Sequence, residues 1–439
     1  MKKCFACICL FLACLGCARQ APPGYRLPAP EDVVMYEVNP RVFAEKEAFK
    51  AIGSYLDSIK QLGVNIVWFM PIYEIGQERS VNSPYCVRDY RSVNPEFGTK
   101  DDFRQLVARC HEKGLGVILD WVPNHTAWDH PWIRHKDWYT QDSMGNIICP
   151  AGTGWHDVAD LNYDNADMRL AMIDAMRYWV EEMDVDGFRC DAVDFVPADF
   201  LRQAVDSLRR IPGHSLLMLA EGKRPDHFDA GFDLNYGWDF HHALRQVFLR
   251  DSSASRVFAA AEKEYDAIPT GKHKLRFNTN HDETAKKSPV EEWNGERGSI
   301  AAFVVSAFMP GCPLIYSSQE VGYPKAVNFF FFHPLDWSAN QPLRKEYEKL
   351  MRVYNACPTF RKGDLTPYPD DQVVLFTRSA DGDTCAVAVN VRNTVVTVSL
   401  PPALAGKTYQ DLCKDEVYLC NDSLILNPYE YRVLRRTGR

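Results

Sequence analysis

Residues 185–195 read VDGFRCDAVDF, a stretch that sets two charges into a buried strand. Its apolar spacing is that of a strand in a protein interior. Arg189 and Asp191 stand two residues apart, so both side chains point to the same side of that strand. Charged side chains are rarely buried without a partner or a chemical role. We therefore predict an ion pair between these two residues at the end of the strand.

Seven further short apolar runs occur along the chain, and helical patterns such as SYLDSIKQLG and KDDFRQLVARCHEKG separate them. This alternation predicts a parallel sheet, and eight such units in about 300 residues predict a (β/α)8 TIM barrel. The near-continuous apolar character fits strands that are covered on both faces. The eight runs are VVMYEVNP, VNIVWFMP, GVILDWVPNH, VDGFRCDAV, SLLMLAEG, FDLNY, LRFNTNHDE and PLIYSSQE.

The polar residues at the C-terminal ends of these strands are predicted to meet, because that rim carries the active site in barrels of this kind. Asp191, Glu221 and Asp282 end the fourth, fifth and seventh strands. Two carboxyl groups about 5 Å apart across a glycosidic bond suit a retaining glycosidase, in which one attacks the sugar and the other protonates the leaving oxygen. The alternative for these residues is a buried ion network that holds the barrel mouth together.

The two chemical roles need different protonation states. Arg189 is expected to keep Asp191 ionised by its positive charge. The apolar run LLMLA before Glu221 is expected to raise the pKa of that carboxyl group, as a general acid requires. Asp282, next to His281, would then bind hydroxyl groups of the distorted sugar.

Two departures from the plain barrel pattern divide the chain into domains. The segment of about 127–160 is rich in Trp, His, Asp and Gly and lacks a helical period, which predicts a small subdomain inserted after the third strand, rather than a disordered loop. After about residue 356 the pattern alternates with period two, and ADGD marks a hairpin turn, which predicts a C-terminal antiparallel β-sandwich. The predicted domains are 31–355 for the barrel and 356–439 for the sandwich.

Four segments at the strand ends resemble, in order and spacing, the four signature regions of the α-amylase family of glycoside hydrolases (glycoside hydrolase family 13). A fifth region of that family is similar to VADLNYDN at 158–165, and its second βα loop is similar to SPYCVRDYRSVNPEFGT at 83–99. The resemblance covers roughly residues 31–439. The four signature segments are DWVPNHT (120–126), GFRCDAV (187–193), LAEG (219–222) and NTNHDE (278–283).

The resemblance implies a role for each matching residue. Asp191 would be the nucleophile, Glu221 the acid/base and Asp282 the stabiliser of the transition state. Substrate-binding residues would be Tyr85, which stacks beneath the sugar, together with His125, Arg189 and His281. Asn124 matches a position that binds calcium in many members, so Ca²⁺ is the cofactor implied, and no organic cofactor is implied.

The activity implied by the resemblance is the retaining cleavage of α-1,4-glucosidic bonds in starch-type α-glucans or maltooligosaccharides, through a covalent glycosyl–aspartate intermediate. One alternative is a glycosyl transferase or isomerase that uses the same residues. Another is a barrel that binds glucan without catalysis, although such proteins normally lack one or more of the three carboxyl groups that this chain retains.

The chain departs from the family pattern around the site. Asp194 and Phe195 stand where many members carry Lys-His, which contributes to calcium and sugar binding, so the departure leaves both functions open. Cys86 replaces an Asp that is common after the loop Tyr, and EGKRPD differs from the Val-Trp that often follows the acid. Ala192 after the nucleophile is more usual in α-1,4-acting members than in α-1,6-acting ones.

The first residues read as an export signal, because Lys2 and Lys3 precede an apolar run that is too short to span a bilayer. CLGCARQAPPG then resembles a bacterial lipobox with Cys17 as the lipid acceptor, and cleavage before Cys14 or by ordinary signal peptidase is the alternative. We predict a signal peptide at 1–16, a tether at 17–30, and a lipoprotein in the periplasm or at the outer membrane or cell surface. Its membrane contact would be the lipid anchor alone.

Charge and cysteine spacing argue against two kinds of binding site, one for nucleic acid and one for zinc. The net charge of −8 and the absence of a Lys/Arg-rich run argue against a nucleic-acid partner. The nine cysteines beyond the leader lack the paired spacing of a zinc site. Most are predicted to be buried single thiols, and a disulfide between Cys413 and Cys420 is the alternative for that pair.

Overall fold

The computed structural model describes residues 25–437, and its strands fall into one closed barrel, one six-stranded sheet and three two-stranded sheets. The strands, numbered in chain order, are β1 (Met35–Val38), β2 (Ile66–Phe69), β3 (Glu74–Ile75), β4 (Val87–Asp89), β5 (Gly116–Trp121), β6 (His125–Ala127), β7 (Val158–Asp160), β8 (Gly187–Cys190), β9 (Leu217–Ala220), β10 (Leu234–Tyr236), β11 (His273–Arg276), β12 (Cys312–Tyr316), β13 (Asp364–Tyr368), β14 (Val373–Ala380), β15 (Asp383–Asn390), β16 (Val396–Ser399), β17 (Lys407–Asp411), β18 (Glu416–Cys420), β19 (Ser423–Leu426) and β20 (Tyr431–Arg436).

Helices lie between the barrel strands and after the last of them. The α-helices are α1 (Ala48–Gln61), α2 (Lys100–Glu112), α3 (Ala166–Met183), α4 (Ala198–Arg209), α5 (Asp226–Asp229), α6 (Trp238–Leu249), α7 (Arg256–Asp266), α8 (His281–Lys286), α9 (Pro289–Glu292), α10 (Glu296–Phe308), α11 (Gln341–Ala356) and α12 (Thr359–Lys362). Short 3₁₀ helices occur at Pro30–Asp32, Pro40–Val42, Pro131–Arg134, Lys136–Trp138 and Val193–Phe195.

The barrel closes through eight parallel strands in the order β1-β2-β5-β8-β9-β10-β11-β12, and β12 pairs with β1. The predicted (β/α)8 barrel is therefore confirmed, and each strand overlaps one of the eight apolar runs. Apolar side chains from the strands fill the barrel interior, among them Met35, Ile118, Leu219 and Leu275. A larger apolar layer lies between the strands and the surrounding helices.

The segment after β5 forms a small layer over the C-terminal rim. Its strands β6 and β7 pair antiparallel, so that His125 lies opposite Asp160. The ring of Trp132 lies 5.3 Å from that of Tyr90, outside the segment, and 5.3 Å from that of Trp138, within it. The region predicted as an inserted subdomain is thus packed structure.

The C-terminal region is an antiparallel β-sandwich, as predicted. Its larger sheet has the order β13-β14-β15-β20-β17-β18, and β16 pairs with β19 in the smaller sheet. The hairpin expected at ADGD joins β14 to β15, with Asp381 (φ 50°) and Gly382 (φ 80°) both at positive φ, as a tight hairpin turn requires. One face of the large sheet packs on barrel helices, where the Phe376 and Phe258 rings lie 6.3 Å apart.

The signal peptide, the lipid acceptor Cys17 and most of the tether lie outside the described residues, so they stay predictions. Between residues 25 and 437, no helix combines the length and the apolar character that a membrane crossing requires. The nine cysteines in this part of the chain are free thiols, including Cys413 and Cys420.

A glycine opens the strand that carries Arg189 because β8 approaches β9 too closely for a side chain. Gly187 has φ 141°, and a Cβ atom placed on it would lie 1.9 Å from the carbonyl oxygen of Leu217. We expect Gly187→Ala to lower the free energy of unfolding by more than about 2 kcal/mol, because both the contact and the backbone conformation oppose a side chain. Urea unfolding followed by tryptophan fluorescence measures this.

Gly213→Ala is the matched control, because Gly213 also has positive φ (83°) but no atom lies within 4 Å of its added Cβ. We expect this control to lose less stability than Gly187→Ala. Equal losses in the two variants would show that the close approach of β8 to β9 is not what requires glycine.

Candidate active site

A cavity of about 980 Å³ opens at the C-terminal rim of the barrel, where the sequence placed the functional residues. Arg189 lies beneath its floor and is fully buried, whereas Asn124 is not among the lining residues. Six predicted site residues line the cavity: Tyr85, His125, Asp191, Glu221, His281 and Asp282.

The Arg189 guanidinium group lies beneath the centre of the cavity floor. Its Nη1 atom donates to Asp120 Oδ1 and to Asp191 Oδ1, both at 2.7 Å, and its Nη2 atom lies 3.0 Å from Glu221 Oε2. Asp120 and Arg189 are direct neighbours in the register of β5 and β8, which fixes their contact. The predicted ion pair between Arg189 and Asp191 is present, and it is part of a larger group with two further carboxylates.

Aromatic rings enclose the same guanidinium group. Its Cζ atom lies 5.1 Å from the Trp68 ring centroid, 5.7 Å from that of Tyr236 and 5.8 Å from that of Tyr85. These rings keep water away from the guanidinium group, and their π faces attract its positive charge. The Arg189 side chain is therefore held in one position, and the carboxyl groups that it contacts are held with it.

Asp191 and Glu221 approach one cation and therefore influence one another. Burial and the charge of Glu221 raise the pKa of Asp191 well above its usual range, while Arg189 lowers it. The expectation that Arg189 alone decides the ionisation of Asp191 is thus too simple. Two carboxyl groups in one buried site favour a state in which the pair holds a single proton.

The turn after Asp191 also orients Glu221. Ala192 adopts a left-handed conformation with φ 48°, and its backbone N–H donates to Glu221 Oε2 at 2.7 Å. A non-glycine residue in this conformation is uncommon and marks a constrained site. The backbone just after β8 thereby positions the carboxyl group that follows β9.

A chain of hydrogen bonds runs from the opposite side of the barrel to Arg189. The Tyr85 hydroxyl lies 3.1 Å from Asp120 Oδ2 and 2.8 Å from His281 Nε2. The other ring nitrogen of His281, Nδ1, is in hydrogen-bond contact with Glu37 Oε1. Glu37 and Arg189 are thus connected through His281, Tyr85 and Asp120.

The proton positions along this chain follow from its two acidic ends. Tyr85 must donate to the Asp120 carboxylate, so it accepts from His281 Nε2–H, and Nδ1–H then donates to Glu37. This requires a protonated imidazole. Asp282 and Glu37 together raise the pKa of His281 to about 9, against the effect of burial, which agrees with that requirement.

Glu37 is a site residue that the sequence analysis missed. Its side chain is completely buried, and burial raises its pKa although His281 and Arg189 lower it. The signal was present in VVMYEVNP, where one carboxylate stands inside an apolar strand, the same pattern that identified Arg189. Glu37 is the second-last residue of β1, as Arg189 is of β8, so both lie next to the C-terminal rim of the barrel.

His125 lines the cavity as a neutral imidazole, because burial lowers its pKa to about 4. Its Nδ1 atom lies 3.2 Å from Asn124 Nδ2, so Nδ1 accepts and Nε2 carries the proton. A neutral donor of this kind suits a sugar hydroxyl group.

The donor set around Asn124 does not fit calcium, although the resemblance implied that site. Calcium takes six to eight oxygen ligands, usually with several carboxylates, whereas the Asn124 amide is directed at the imidazole of His125. Among residues 25–437, the one group of three His, Cys, Asp or Glu ligand atoms is Cys357, Asp383 and Cys385, which is not at this rim.

Two departures from the family pattern contact each other. Asp194 accepts hydrogen bonds from the backbone N–H groups of Lys223 and Arg224, at 3.3 and 3.4 Å. It also lies 3.3 Å from His227 Nε2. Asp194 therefore holds the EGKRPD loop that follows the acid, so the change after region two and the change after region three form one structural unit.

Phe195 lies on the outer wall of the cavity and is 60% exposed. Its ring centroid is 6.0 Å from that of Trp155, which belongs to the inserted segment. Trp155 in turn contacts the His125 ring at 5.5 Å. An exposed aromatic pair beside the carboxyl groups offers a surface on which sugar rings can stack.

Comparison with known proteins agrees with this geometry. The family described as "Alpha amylase, catalytic domain" matches residues 45–145 and 153–352. The chain belongs to the α-amylase family. The family predicted from the four signature segments is therefore confirmed.

Among curated relatives, the α-amylase MalA of Haloarcula japonica is 29% identical over 424 residues, which cover 91% of this chain and 61% of that protein. A probable oligo-1,6-glucosidase 2 of Bacillus subtilis is 25% identical over 375 residues, covering 67% of this chain and 66% of that protein. The chain thus spans slightly less than two thirds of the length of these relatives.

Among solved structures, a noncanonic maltogenic α-amylase, AmyB of Thermotoga neapolitana, superposes with a TM-score of 0.84 at 26% identity. The similarity covers 94% of this chain and all of that chain. The barrel and the C-terminal sandwich are therefore shared with α-amylase-family proteins.

The buried Glu37 carboxylate should set the charge state of His281. We expect Glu37→Gln to lower the pKa of His281 from about 9 towards neutrality, because the variant loses the anion that faces Nδ1. The imidazole then loses its charge at a lower pH as pH rises. NMR titration of ¹⁵N-histidine-labelled protein measures this, with the His281 signals assigned by their loss in His281→Asn.

Glu320→Gln is the matched control, because Glu320 is equally buried but accepts from Tyr36, whereas Glu37 contacts His281. It should leave the His281 titration unchanged. An unchanged His281 pKa in Glu37→Gln would contradict the proton arrangement described above.

Proposed function

We propose that this protein is a retaining α-glycoside hydrolase that cleaves α-1,4-glucosidic bonds in starch-type α-glucans or maltooligosaccharides. The observation that carries the proposal is the placement of Asp191 and Glu221 on one buried guanidinium group at the floor of an open cavity. The names of the α-amylase relatives support the choice of substrate class.

In the first step, an Asp191 oxygen forms a bond to the anomeric carbon while the glycosidic C–O bond breaks. The proton of Glu221 goes to the leaving oxygen. Arg189 holds Asp191 through Oδ1, which leaves the other carboxylate oxygen for the sugar. The pair needs its single proton on Glu221 for this step, and a glycosidic oxygen next to that carboxyl group favours this arrangement.

In the second step, Glu221 accepts a proton from water as the water oxygen forms a bond to the anomeric carbon. The bond between Asp191 and that carbon breaks, so the product keeps the configuration of the substrate. Asp282 lies at the mouth of the cavity, with Oδ2 3.5 Å from His281 Nε2, and is placed to bind hydroxyl groups of the distorted ring. Neutral His125 contributes a further donor to the cavity, and the positive charge of His281 lies beside it, with both of its N–H groups engaged by Tyr85 and Glu37.

Glycosyl transfer is the second candidate, and the exposed pair of Trp155 and Phe195 favours it. In transfer, a sugar hydroxyl group replaces water in the second step. A stacking surface beside the carboxyl groups would hold such an acceptor. The products distinguish the two reactions, because hydrolysis releases new reducing ends, whereas transfer or isomerisation yields new oligosaccharides without net release.

The proposal predicts different defects for the two carboxyl groups. Asp191→Asn should reduce turnover of maltoheptaose by at least about 10⁴-fold, because no covalent intermediate can form. Glu221→Gln should retain more activity on an aryl maltoside with an acidic phenol leaving group, which needs little protonation. The measurements are reducing-sugar release and phenol release, with ¹H NMR of the first product anomer.

Asp199→Asn serves as the control, because Asp199 is an exposed surface carboxylate paired with Arg169. It should retain activity. Isomaltose and trehalose in the same assay test other linkages. A first product with inverted configuration, or full activity of Asp191→Asn, would overturn the mechanism.

Activity should not depend on calcium, because the donor set around Asn124 does not fit that ion. We expect less than about a twofold change in initial rate after dialysis against EGTA. Asn124→Asp should likewise create no calcium requirement. A large loss of activity that added calcium restores would show that the ion is held by oxygen ligands assembled at this rim.

A further inference from the structure

A pair of thiols lies where the barrel meets the C-terminal sheet, far from the chemistry proposed above. Cys357 directly follows α11, and Cys385 lies within β15. Their Sγ atoms are 3.2 Å apart, and both side chains are buried. Cys357 lies at the junction between the barrel and the sandwich, so a bond to Cys385 would fasten the end of the last barrel helix to the sandwich.

The surroundings give the two sulfur atoms different acidities. Hydrogen bonds from Cys385 and Thr359 lower the pKa of Cys357 to about 7. The same contact with Cys357, together with burial, raises the pKa of Cys385. Cys357 is therefore the nucleophilic member of the pair, since the thiolate is the reactive form of cysteine.

The contacts of Asp383 argue against a metal as the natural occupant. Asp383 is the third member of this group, with Oδ2 3.8 Å from Cys357 Sγ and 2.6 Å from Thr359 Oγ1. Its other oxygen, Oδ1, accepts from Arg435 at 3.0 Å. Structural zinc sites use four ligands, and here the third candidate ligand is already engaged by a cation and a hydroxyl group.

We propose that Cys357 and Cys385 form a disulfide that cross-links the barrel to the C-terminal sandwich. The oxidant is a small disulfide such as oxidised glutathione, or a disulfide oxidoreductase, acting while the chain folds and before the pair is buried. The export predicted from the leader would place the chain in a compartment that favours such bonds.

The chemistry balances as two exchange steps. The Cys357 thiolate attacks one sulfur of the oxidant, and the other half of the oxidant leaves as a thiolate. Cys385 gives its proton to that thiolate and attacks the Cys357 sulfur, which expels the second half. Two protein thiols are oxidised to one disulfide, and one oxidant disulfide is reduced to two thiols.

The cross-link lies at the face of the barrel opposite the cavity. Arg361, four residues after Cys357, pairs with Asp32 at 2.7 Å, just before β1 enters the barrel. The bond between Cys357 and Cys385 would therefore act on the attachment of the C-terminal sandwich, not on the catalytic residues. It closes the chain between residues 357 and 385 and restricts the unfolded state.

Trypsin separates the two cysteines, because it cleaves after Arg352, Arg361, Arg378 and Arg392. Cys357 and Cys385 are then each the single cysteine of their peptide. The full-length protein is reduced in urea, refolded in mixed reduced and oxidised glutathione, alkylated and digested. We expect a species that joins 353–361 to 379–392, two hydrogens lighter than the two peptides together. Dithiothreitol before alkylation should abolish it.

Cys357→Ser and Cys385→Ser should each lack the linked species, and Cys413→Ser should retain it as the control, because Cys413 belongs to neither peptide. The linked protein should unfold roughly 3 °C higher than the same protein after reduction. Cys357→Ser should show no such response to reductant.

Three outcomes would overturn the proposal. The first is the recovery of both peptides fully alkylated, from refolded protein and from protein isolated from a bacterial periplasm. The second is one equivalent of zinc bound by the reduced protein and lost in Cys385→Ser, without any linked peptide. The third is a linked peptide without a rise in unfolding temperature, which would remove the fastening role.

Discussion

The buried guanidinium group of Arg189 is the constraint on which the site depends. A cation in the barrel interior is costly unless anions and aligned donors replace the water that it loses. Three carboxyl groups do so here, from Asp120, Asp191 and Glu221, which follow or belong to three neighbouring strands. The position of one side chain thereby fixes the relative positions of two groups proposed to carry out the chemistry.

Because the carboxyl groups share one cation, their ionised forms are less stable than they are in water. A single cation cannot keep all its partners ionised in a buried site, and burial raises the pKa of Asp120 to about 6 and that of Asp191 well above its usual range. A second cation reduces this excess of negative charge. Protonated His281, held between Glu37 and Tyr85, supplies it, so the hydrogen-bond chain is part of the electrostatic balance of the site.

The fold was predictable because its signals are local. Strand periodicity, the spacing of Arg189 and Asp191, and the turn at 380–383 each depend on a few adjacent residues. Glu37 carries a local signal of the same kind, a carboxylate inside an apolar run, but its role depends on His281, a residue distant in sequence. The contact of Asp194 with the loop after Glu221 could not be predicted either, because nothing in the sequence shows that two unusual segments touch.

The protonation states likewise depend on residues that are distant in sequence. A charge two residues away on one strand indicated an ion pair correctly, but the ionisation of Asp191 depends on the total charge in the cavity floor. That sum includes Glu221 from β9 and Asp120 from β5, which only the closed barrel brings together. Removing Arg189 would leave Asp120 and Asp191 without the cation that lowers the pKa of each, so both carboxyl groups would keep their protons to a higher pH. The buried arginine therefore holds one pattern of charge among these carboxyl groups, at some expense of stability.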